Sequence, residues 1–232
     1  MLNRRQMTQS GLTAIGAGLA LPSALALAAE KPTAASAKMA VAAPAAAIAI
    51  QAGRDFKVIK PAAPTEAAAG KIEVVEFFWY KCPHCFHFEP ELNAWVKTLP
   101  KNVSFRRVPV GFNASFLPQQ KLFYALEGLN LLDTLHSKVF AAIHTDKVKL
   151  DNDADIFAWI AKQGVSLDKF KAMYTSFSVA GKATRATKLQ DAYMVDGVPA
   201  MGVDGKYLSN GTLTGSMSRL LQVVSTLVAQ KR

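Results

Sequence analysis

The chain has 232 residues, half of them hydrophobic, with a formal net charge of +10 at pH 7 and only two cysteines. Excess positive charge is a feature of many nucleic-acid-binding and membrane-binding proteins. Here, however, the lysines and arginines are scattered, and no basic stretch is interleaved with aromatic residues as in a strand-binding groove. The composition therefore gives no support for a nucleic-acid partner, and the basic residues are interpreted as a solvated surface.

The N-terminal segment, residues 1–29, has the pattern of a signal peptide. Arg4 and Arg5 precede an apolar stretch that runs to Leu27, and small alanines at its end offer a cleavage site. A membrane anchor is the alternative, but Pro22 and several polar residues interrupt the roughly 20 apolar residues that a membrane-spanning helix needs. We therefore expect export, by the general secretory route or, given the paired arginines, by the twin-arginine route.

The next segment, residues 30–52, is rich in alanine and proline and has few large apolar side chains. Such a segment buries too little surface to offset the entropy lost on ordering, so we expect a flexible linker. The remaining chain, of about 180 residues, is long enough for one sizeable core. Its first element, Asp55–Lys60, alternates in polarity and predicts an edge strand, which a loop with Pro61, Pro64 and Gly70 follows.

The two cysteines lie where a predicted strand meets a predicted helix. Ile72–Phe78 is a short apolar run that predicts a buried strand. The following residues predict a helix, because apolar side chains recur at three- and four-residue spacing: Cys85, Phe88, Leu92, Trp95, Val96 and Leu99. Between them lies Cys82-Pro83-His84-Cys85, and a strand that leads into a helix through Cys-x-x-Cys is typical of a thioredoxin-like redox site.

Pro83 is suited to the first helical position, where the N–H that it lacks has no partner inside the helix. This places Cys82 at a helix N-terminus, where free backbone amides and the helix dipole stabilise a thiolate. Further along, Pro90 is expected to kink this helix and Pro100 to end it. The sequence thus predicts dithiol–disulfide exchange at Cys82.

The rest of the chain predicts a sheet that a helical segment interrupts. Val103–Phe112 is a predicted strand whose later part Pro109 makes irregular. Apolar stripes at helical spacing fill residues 115–191, with Asp151 or Asn152 and Ser166 as candidate helix caps. A β-hairpin around Asp204-Gly205 and a closing helix from Met217 to Val228 complete the pattern.

The element order predicts an α/β protein with a thioredoxin fold interrupted by an inserted all-helical domain. The thioredoxin-like domain is assigned to residues 53–114 and 192–232, and the helical insertion to residues 115–191. The stripes of the insertion are interpreted as core, not as a cofactor site.

These residues resemble the DsbA-type periplasmic thiol:disulfide oxidoreductases of the thioredoxin superfamily. The resemblance runs from about residue 55 to the C-terminus and lies in Glu76-Phe77-Phe78 before Cys82-Pro83-His84-Cys85, and in Gly197-Val198-Pro199-Ala200-Met201 before Gly205-Lys206-Tyr207. It implies a monomeric periplasmic enzyme that oxidises newly exported proteins. It also implies reoxidation by a quinone-linked membrane partner, DsbB, with the Cys82–Cys85 disulfide as the redox group and no other cofactor.

Cys82, at the exposed end of the helix, is expected to be the attacking and leaving sulfur, and the buried Cys85 to resolve the mixed disulfide. His84 lies between them and is expected to donate a hydrogen bond or charge to the Cys82 thiolate, although an ordinary exposed histidine is the alternative. A stabilised thiolate favours the reduced form, so the resemblance implies a strongly oxidising disulfide.

The resemblance also assigns roles outside the Cys-x-x-Cys segment. Pro199 is expected to follow a cis peptide bond and to turn the Val198 backbone towards an extended substrate. Glu76 is expected to be a buried acid that assists proton transfer at Cys85, unless it reaches solvent at the strand end. The family often has a basic residue on the following strand. Arg107 lies near that place, but Pro109 disturbs the pattern, so Arg107 is not assigned to the site.

Three other functions remain open at this point. Cys82 and Cys85 with His84 and His87 superficially suit zinc, but no second pair of ligands follows, and His136 and His144 are interpreted as solvated or capping residues. A thioredoxin-like reductant or a disulfide isomerase would have the same fold. A binding module stapled by its cysteines is the third, although so short a loop gains little stability from a disulfide. The Pro83-His84 dipeptide and the long insertion favour the oxidase.

Overall fold

The computed structural model describes residues 48–231. The predictions for the signal peptide (residues 1–29) and for residues 30–47 lie outside this range. Residues 48–52, which the sequence assigns to the linker, contact the folded domain: Ile48 and Ile50 pack against its core, and Ala52 forms an isolated β-bridge with Phe56.

The described part contains a five-stranded mixed sheet in the order β1-β5-β4-β2-β3. Its strands are β1 (Lys57–Val58), β2 (Ile72–Phe78), β3 (Val103–Pro109), β4 (Ala200–Val203) and β5 (Tyr207–Asn210). β2 pairs in parallel with β3 and antiparallel with β4. Every residue of β2 is buried, including Glu73 and Glu76, as its mainly apolar sequence predicts for a central strand. β3 remains paired up to Pro109, which lies opposite Phe78.

Helices cover both faces of the sheet and form the insertion. They are α1 (Pro83–Val96), α2 (Leu117–Gly128), α3 (Leu132–His144), α4 (Asp153–Ala161), α5 (Leu167–Tyr174), α6 (Phe177–Ala192), α7 (Gly211–Thr214) and α8 (Met217–Ala229). Helices α2–α6 lie between β3 and β4, which confirms the predicted thioredoxin fold with a helical insertion. The predicted caps also form: Asn152 accepts from the Asp155 N–H, and Ser166 from the Lys169 N–H.

The pleat of β2 divides the core into two clusters, because successive side chains point to opposite faces. Val74 packs with Phe88, Leu92 and Leu220 on the face that α1 and α8 cover. Val75 and Phe77 face the insertion and belong to the larger cluster, in which the Phe77 ring lies 5.2 Å from that of Tyr193. α1 is therefore held by the sheet and α8, which fixes the position of its first turn.

The hairpin that joins β4 to β5 turns at Asp204 and Gly205, which have φ angles of 52° and 69°. Two successive residues with positive φ are the mark of a type I′ turn, for which Asp-Gly is a favoured pair. The predicted hairpin is confirmed. The pairing of β4 with β2 places the segment that precedes β4 beside Cys82, the N-cap of α1.

None of the helices in residues 48–231 has the length and apolar character needed to cross a lipid bilayer.

Candidate redox active site

Cys82 is the N-cap of α1, and Pro83 is the first residue of the helix, as predicted. The backbone N–H of Cys85 donates to Cys82 Sγ over 3.4 Å. On the other side, Cys82 Sγ donates to the carbonyl oxygen of Val198, also over 3.4 Å. The sulfur therefore lies between the helix end and the loop before β4.

The two cysteines differ in exposure less than the sequence suggests. The exposed fraction of Cys82 is 7%, because the Val198 segment covers it, and that of Cys85 is 0%. The expectation of an exposed Cys82 was wrong, yet Cys82 Sγ contacts Val198, which lines a groove. Both thiols are free in this structure.

The two thiols differ strongly in acidity. The adjacent Cys85 thiol lowers the pKa of Cys82 most, with further contributions from the Cys85 and His84 backbone and the His84 imidazole, to about 6. Burial raises the pKa of Cys85 well above its usual value, and the neighbouring charges of Cys82 and Glu76 raise it further. At neutral pH the first cysteine is a thiolate and the second is a thiol. His84 therefore acts in the predicted direction but contributes less than Cys85.

The Val198–Pro199 peptide bond is cis, which is the predicted geometry; a second cis bond, Lys60–Pro61, was not predicted. A groove of about 550 Å³ runs along this segment. Its walls contain His84, Val198, Pro199 and Met217, together with Asn210, Gly211, Thr212 and Leu213; Lys57 and Asp196 form an ion pair of 3.3 Å at the same groove. The Val198 N–H donates no hydrogen bond within the described part of the chain, so it is available to a bound peptide.

Glu76 is fully buried in the middle of β2, so the alternative of a strand-end carboxylate in solvent was wrong. Its partner is Arg107, the residue directly opposite in the parallel β2–β3 pair. Arg107 Nε lies 3.0 Å from Glu76 Oε2, but its N–H is directed at Glu89, and neither Glu76 oxygen accepts a hydrogen bond from the described residues. Burial raises the pKa of Glu76 to about 8, although the Arg107 charge opposes the increase.

Glu89 is a second buried carboxylate that the sequence analysis did not assign to the site. It accepts two hydrogen bonds of 3.3 Å from Arg107 and one of 3.0 Å from Asn93. Burial opposes its ionisation, but the contacts with His136 and Arg107 prevail and lower the pKa of Glu89. The pair therefore carries one negative charge, on Glu89, and one proton, on Glu76.

The interpretation of His136 as a solvated or capping residue was wrong. Its exposed fraction is 6%, and its Nδ1 lies 2.8 Å from the Tyr80 hydroxyl. Its Nε2 lies 3.4 Å from Glu89 Oε1. His144, two turns further along α3, contacts the Tyr80 carbonyl oxygen through Nε2 over 2.8 Å and stacks on Phe86. The insertion thus holds Tyr80, two residues before Cys82, through contacts with His136 and His144.

Glu76 and the four residues Tyr80, Glu89, Arg107 and His136 form a buried charge cluster. Sequence reasoning did not assign those four residues to the site. The signal for Arg107 was present, because a parallel pairing of the two predicted strands places it beside Glu76. The others come together only through the packing of α1 and α3. Within residues 48–231, no group of three or more His, Cys, Asp or Glu side chains is arranged to hold a metal ion.

The chain is similar in sequence and in structure to known proteins. Residues 101–222 match the family described as the DSBA-like thioredoxin domain. The thiol:disulfide interchange protein DsbA of Burkholderia cepacia is 45% identical over 178 residues, which are 77% of this chain and 84% of that protein. The protein of the same name from Bordetella pertussis is 41% identical over 183 residues, covering 78% of this chain and 87% of the relative.

Solved structures agree with the fold. The crystal structure of Pseudomonas aeruginosa DsbA aligns with a TM-score of 0.75 at 36% identity, over 79% of this chain and 95% of that one. The crystal structure of the oxidoreductase DsbA from Xylella fastidiosa aligns with a TM-score of 0.74 at 31% identity, over 79% of this chain and 98% of that one.

Proposed function

This chain belongs to the DsbA family of thioredoxin-like thiol:disulfide oxidoreductases, and from that premise we propose how it acts. Its Cys82–Cys85 disulfide is donated to newly exported proteins through a mixed disulfide at Cys82. The single observation that carries this proposal is the contrast between the two thiols. Cys82, at the helix N-terminus, has a pKa of about 6, whereas the pKa of the buried Cys85 is raised.

This contrast determines both the site and the direction of the reaction. A substrate thiolate attacks Cys82 Sγ, the Cys82–Cys85 bond breaks, and Cys85 leaves with the electron pair and takes up a proton. A second substrate thiolate then attacks the substrate sulfur of the mixed disulfide, and Cys82 leaves as a thiolate. A thiol of low pKa is a good leaving group, so the second step favours release of the oxidised substrate.

Glu76 supplies the proton that Cys85 takes up. Its buried carboxyl is protonated at neutral pH because its pKa is about 8, and once ionised its charge raises the pKa of Cys85. When Cys85 attacks a mixed disulfide during reoxidation, the ionised Glu76 accepts the thiol proton again. Replacement by Gln removes this exchange with little change of shape, so Glu76→Gln slows release of glutathione from a Cys82–glutathione mixed disulfide. An unchanged rate in this variant would refute the role of Glu76.

The groove at Val198 and Pro199 is where we place the substrate. An extended peptide pairs with the free N–H of Val198 as an added strand, which brings its cysteine to Cys82. The backbone supplies most of these bonds, so the site accepts many unfolded sequences. His84 lines the same groove and contacts the incoming chain.

Trapping experiments test this function directly. In the Cys85→Ala variant, the Cys82 thiolate attacks a disulfide of an oxidised substrate and one substrate sulfur leaves as a thiolate. The mixed disulfide then accumulates until reductant releases it, because no second cysteine is present to displace the substrate. The matched Cys82→Ala variant leaves Cys85 buried and is expected to trap none. Equal trapping by both variants would contradict the assignment of Cys82 as the attacked sulfur.

The cellular setting is the remaining part of the proposal. The signal-like residues 1–29 support export to the periplasm, and the family supports reoxidation by a DsbB-like quinone reductase, with the protein acting as a monomer. Membrane vesicles that contain such a reductase and quinone should reoxidise the reduced protein, whereas vesicles without the reductase should not. Reoxidation at equal rates in both would contradict this partner, and sedimentation of the mature chain as a dimer would contradict the monomer.

A further inference from the structure

The helical insertion contacts each of the three residues that lie between β2 and the redox pair. The centre of the Trp79 ring lies 4.3 Å from that of the Phe116 ring, and Lys81 forms an ion pair of 2.9 Å with Asp151. Tyr80, between them, is buried, and α3 contacts both its hydroxyl group and its carbonyl oxygen. The chain that leads into the redox pair is therefore positioned by the insertion as well as by the sheet.

Residues 79–82 form a tight turn. The Cys82 N–H closes it by donating to the Trp79 carbonyl oxygen over 3.0 Å. The peptide between Tyr80 and Lys81 is the central one of this turn, and its orientation distinguishes the common turn types. Because Cys82 follows directly, the orientation of this peptide determines how the chain enters α1. The oxygen of this peptide is the Tyr80 carbonyl oxygen.

His144, the last residue of α3, contacts the chain on both sides of the redox pair. Its Nε2 lies 2.8 Å from the Tyr80 carbonyl oxygen, and its ring stacks on that of Phe86, with centres 4.9 Å apart and planes 9° apart. Since a carbonyl oxygen only accepts, Nε2 carries a proton and donates, in the neutral ring as in the charged one. Tyr80 lies two residues before Cys82, and Phe86 directly follows Cys85. One side chain thus holds both flanks of the pair.

These contacts matter more in one redox state than in the other. In the disulfide form, the covalent bond between Cys82 and Cys85 itself fixes Cys82 against α1. In the dithiol form, Cys82 Sγ has only weak contacts, of 3.4 Å each, with the Cys85 N–H and the Val198 carbonyl oxygen. The position of the Cys82 thiolate at the helix end, where the helix stabilises it, then depends on the turn that precedes it.

We infer that His144 is a positioning residue that raises the reduction potential of the Cys82–Cys85 pair, because it holds the turn before Cys82 where the dithiol form needs it. It acts through the Tyr80 carbonyl oxygen and through Phe86, and it exchanges neither protons nor electrons with the cysteines. A contact that stabilises the dithiol form more than the disulfide form makes the disulfide the stronger oxidant. The inference rests on the proposed function in taking Cys82 as the thiolate.

The test is the equilibrium of the redox pair with glutathione buffers, together with urea unfolding of each redox form. His144→Phe keeps an aromatic ring against Phe86 but removes the donor to Tyr80. We expect the equilibrium to shift about three- to tenfold towards the disulfide form, which is the effect of one hydrogen bond between neutral groups. A tenfold shift lowers the reduction potential by about 30 mV. The pKa of Cys82 should rise in the same variant.

Two further variants separate the hydrogen bond from the ring. His144→Gln keeps an amide N–H near the position of Nε2 without the aromatic ring, so it should restore most of the wild-type equilibrium. His87→Gln removes an exposed imidazole that lies beside Phe86, and it is the matched control that should leave the equilibrium unchanged. If His144→Phe does not fold, His144→Leu takes its place and should show the same shift relative to His144→Gln.

Each outcome decides the matter. A wild-type equilibrium in His144→Phe refutes the inference. A loss of stability of equal size in both redox forms cancels in the potential, so it assigns His144 to packing alone and also refutes the inference. An equal shift in His144→Phe and His144→Gln refutes the hydrogen bond as the cause. A wild-type potential close to that of thioredoxin would instead contradict the proposed oxidase function. The inference depends only on the difference between wild type and variant, so the two failures are distinguishable.

Discussion

The acidity of Cys82 depends mainly on its neighbour Cys85, and removing that neighbour's thiol should reverse much of the effect. In the Cys85→Ala variant the side-chain contact is lost, while the backbone N–H at position 85 still points at Cys82 Sγ. The variant also leaves Cys82 as the single thiol in the chain. Its titration can therefore be followed without overlap.

The size of the change follows from the energy of a hydrogen bond to a charged group. Such a bond contributes about 1.5–3 kcal/mol, and one pKa unit corresponds to about 1.36 kcal/mol. Losing it should raise the pKa of Cys82 by about one to two units, from about 6 in the reduced protein to about 7–8.

The assay is the ultraviolet absorbance of the thiolate against pH, checked by the rate of alkylation. Cys85→Ser is the matched control, because its hydroxyl keeps a donor at the same place and should leave the pKa near 6. A pKa that stays near 6 in Cys85→Ala would refute the reasoning and would assign the acidity to the helix end alone.

Three further predictions concern the same site. His84→Ser should raise the pKa of Cys82 less than Cys85→Ala does, because the imidazole charge is the smaller contribution; an equal or larger rise in the same titration would contradict this ranking. Since the folded pKa of Cys82 is depressed from 9.0 to about 6, its thiolate stabilises the reduced protein above pH 6, and this stability is lost as the pH falls through 6. Urea unfolding should show the reduced form gaining about 1.4 kcal/mol between pH 5 and pH 7 relative to the oxidised form, and no relative gain would contradict the depressed pKa. Arg107→Met should raise the pKa of Glu76 above about 8, because the positive charge that stabilises the Glu76 carboxylate is lost. Carboxyl NMR of the folded variant measures this pKa, and a lower pKa would contradict the pairing of Arg107 with Glu76.

The parts of the fold that the sequence predicted well are those with local causes. β2 begins and ends at the predicted residues, because a mainly apolar run of this length fits a central buried strand. Pro83 and the three- and four-residue spacing locate α1, and Asp204-Gly205 locates the hairpin turn. In each case the residues that determine the structure are neighbours in the chain.

The charge cluster was less predictable because its members are far apart in sequence. Tyr80 and His136 are 56 residues apart, and α3 brings them together only after the insertion has folded back on α1. An isolated histidine on a helical pattern gives no sign of this contact. Arg107 could have been predicted from the pairing of the two strands. However, Pro109 suggested an irregular strand, whereas the pairing continues to Pro109.

The most direct test of the central claim is the reduction potential of the Cys82–Cys85 pair, measured by equilibration with glutathione buffers. An oxidase whose reduced form is stabilised by the Cys82 thiolate should have a potential well above that of thioredoxin, which is about −270 mV. The reduced and oxidised forms should therefore coexist in buffers that contain far more oxidised than reduced glutathione. A potential close to that of thioredoxin would contradict the oxidase function and would favour a reductant on the same fold.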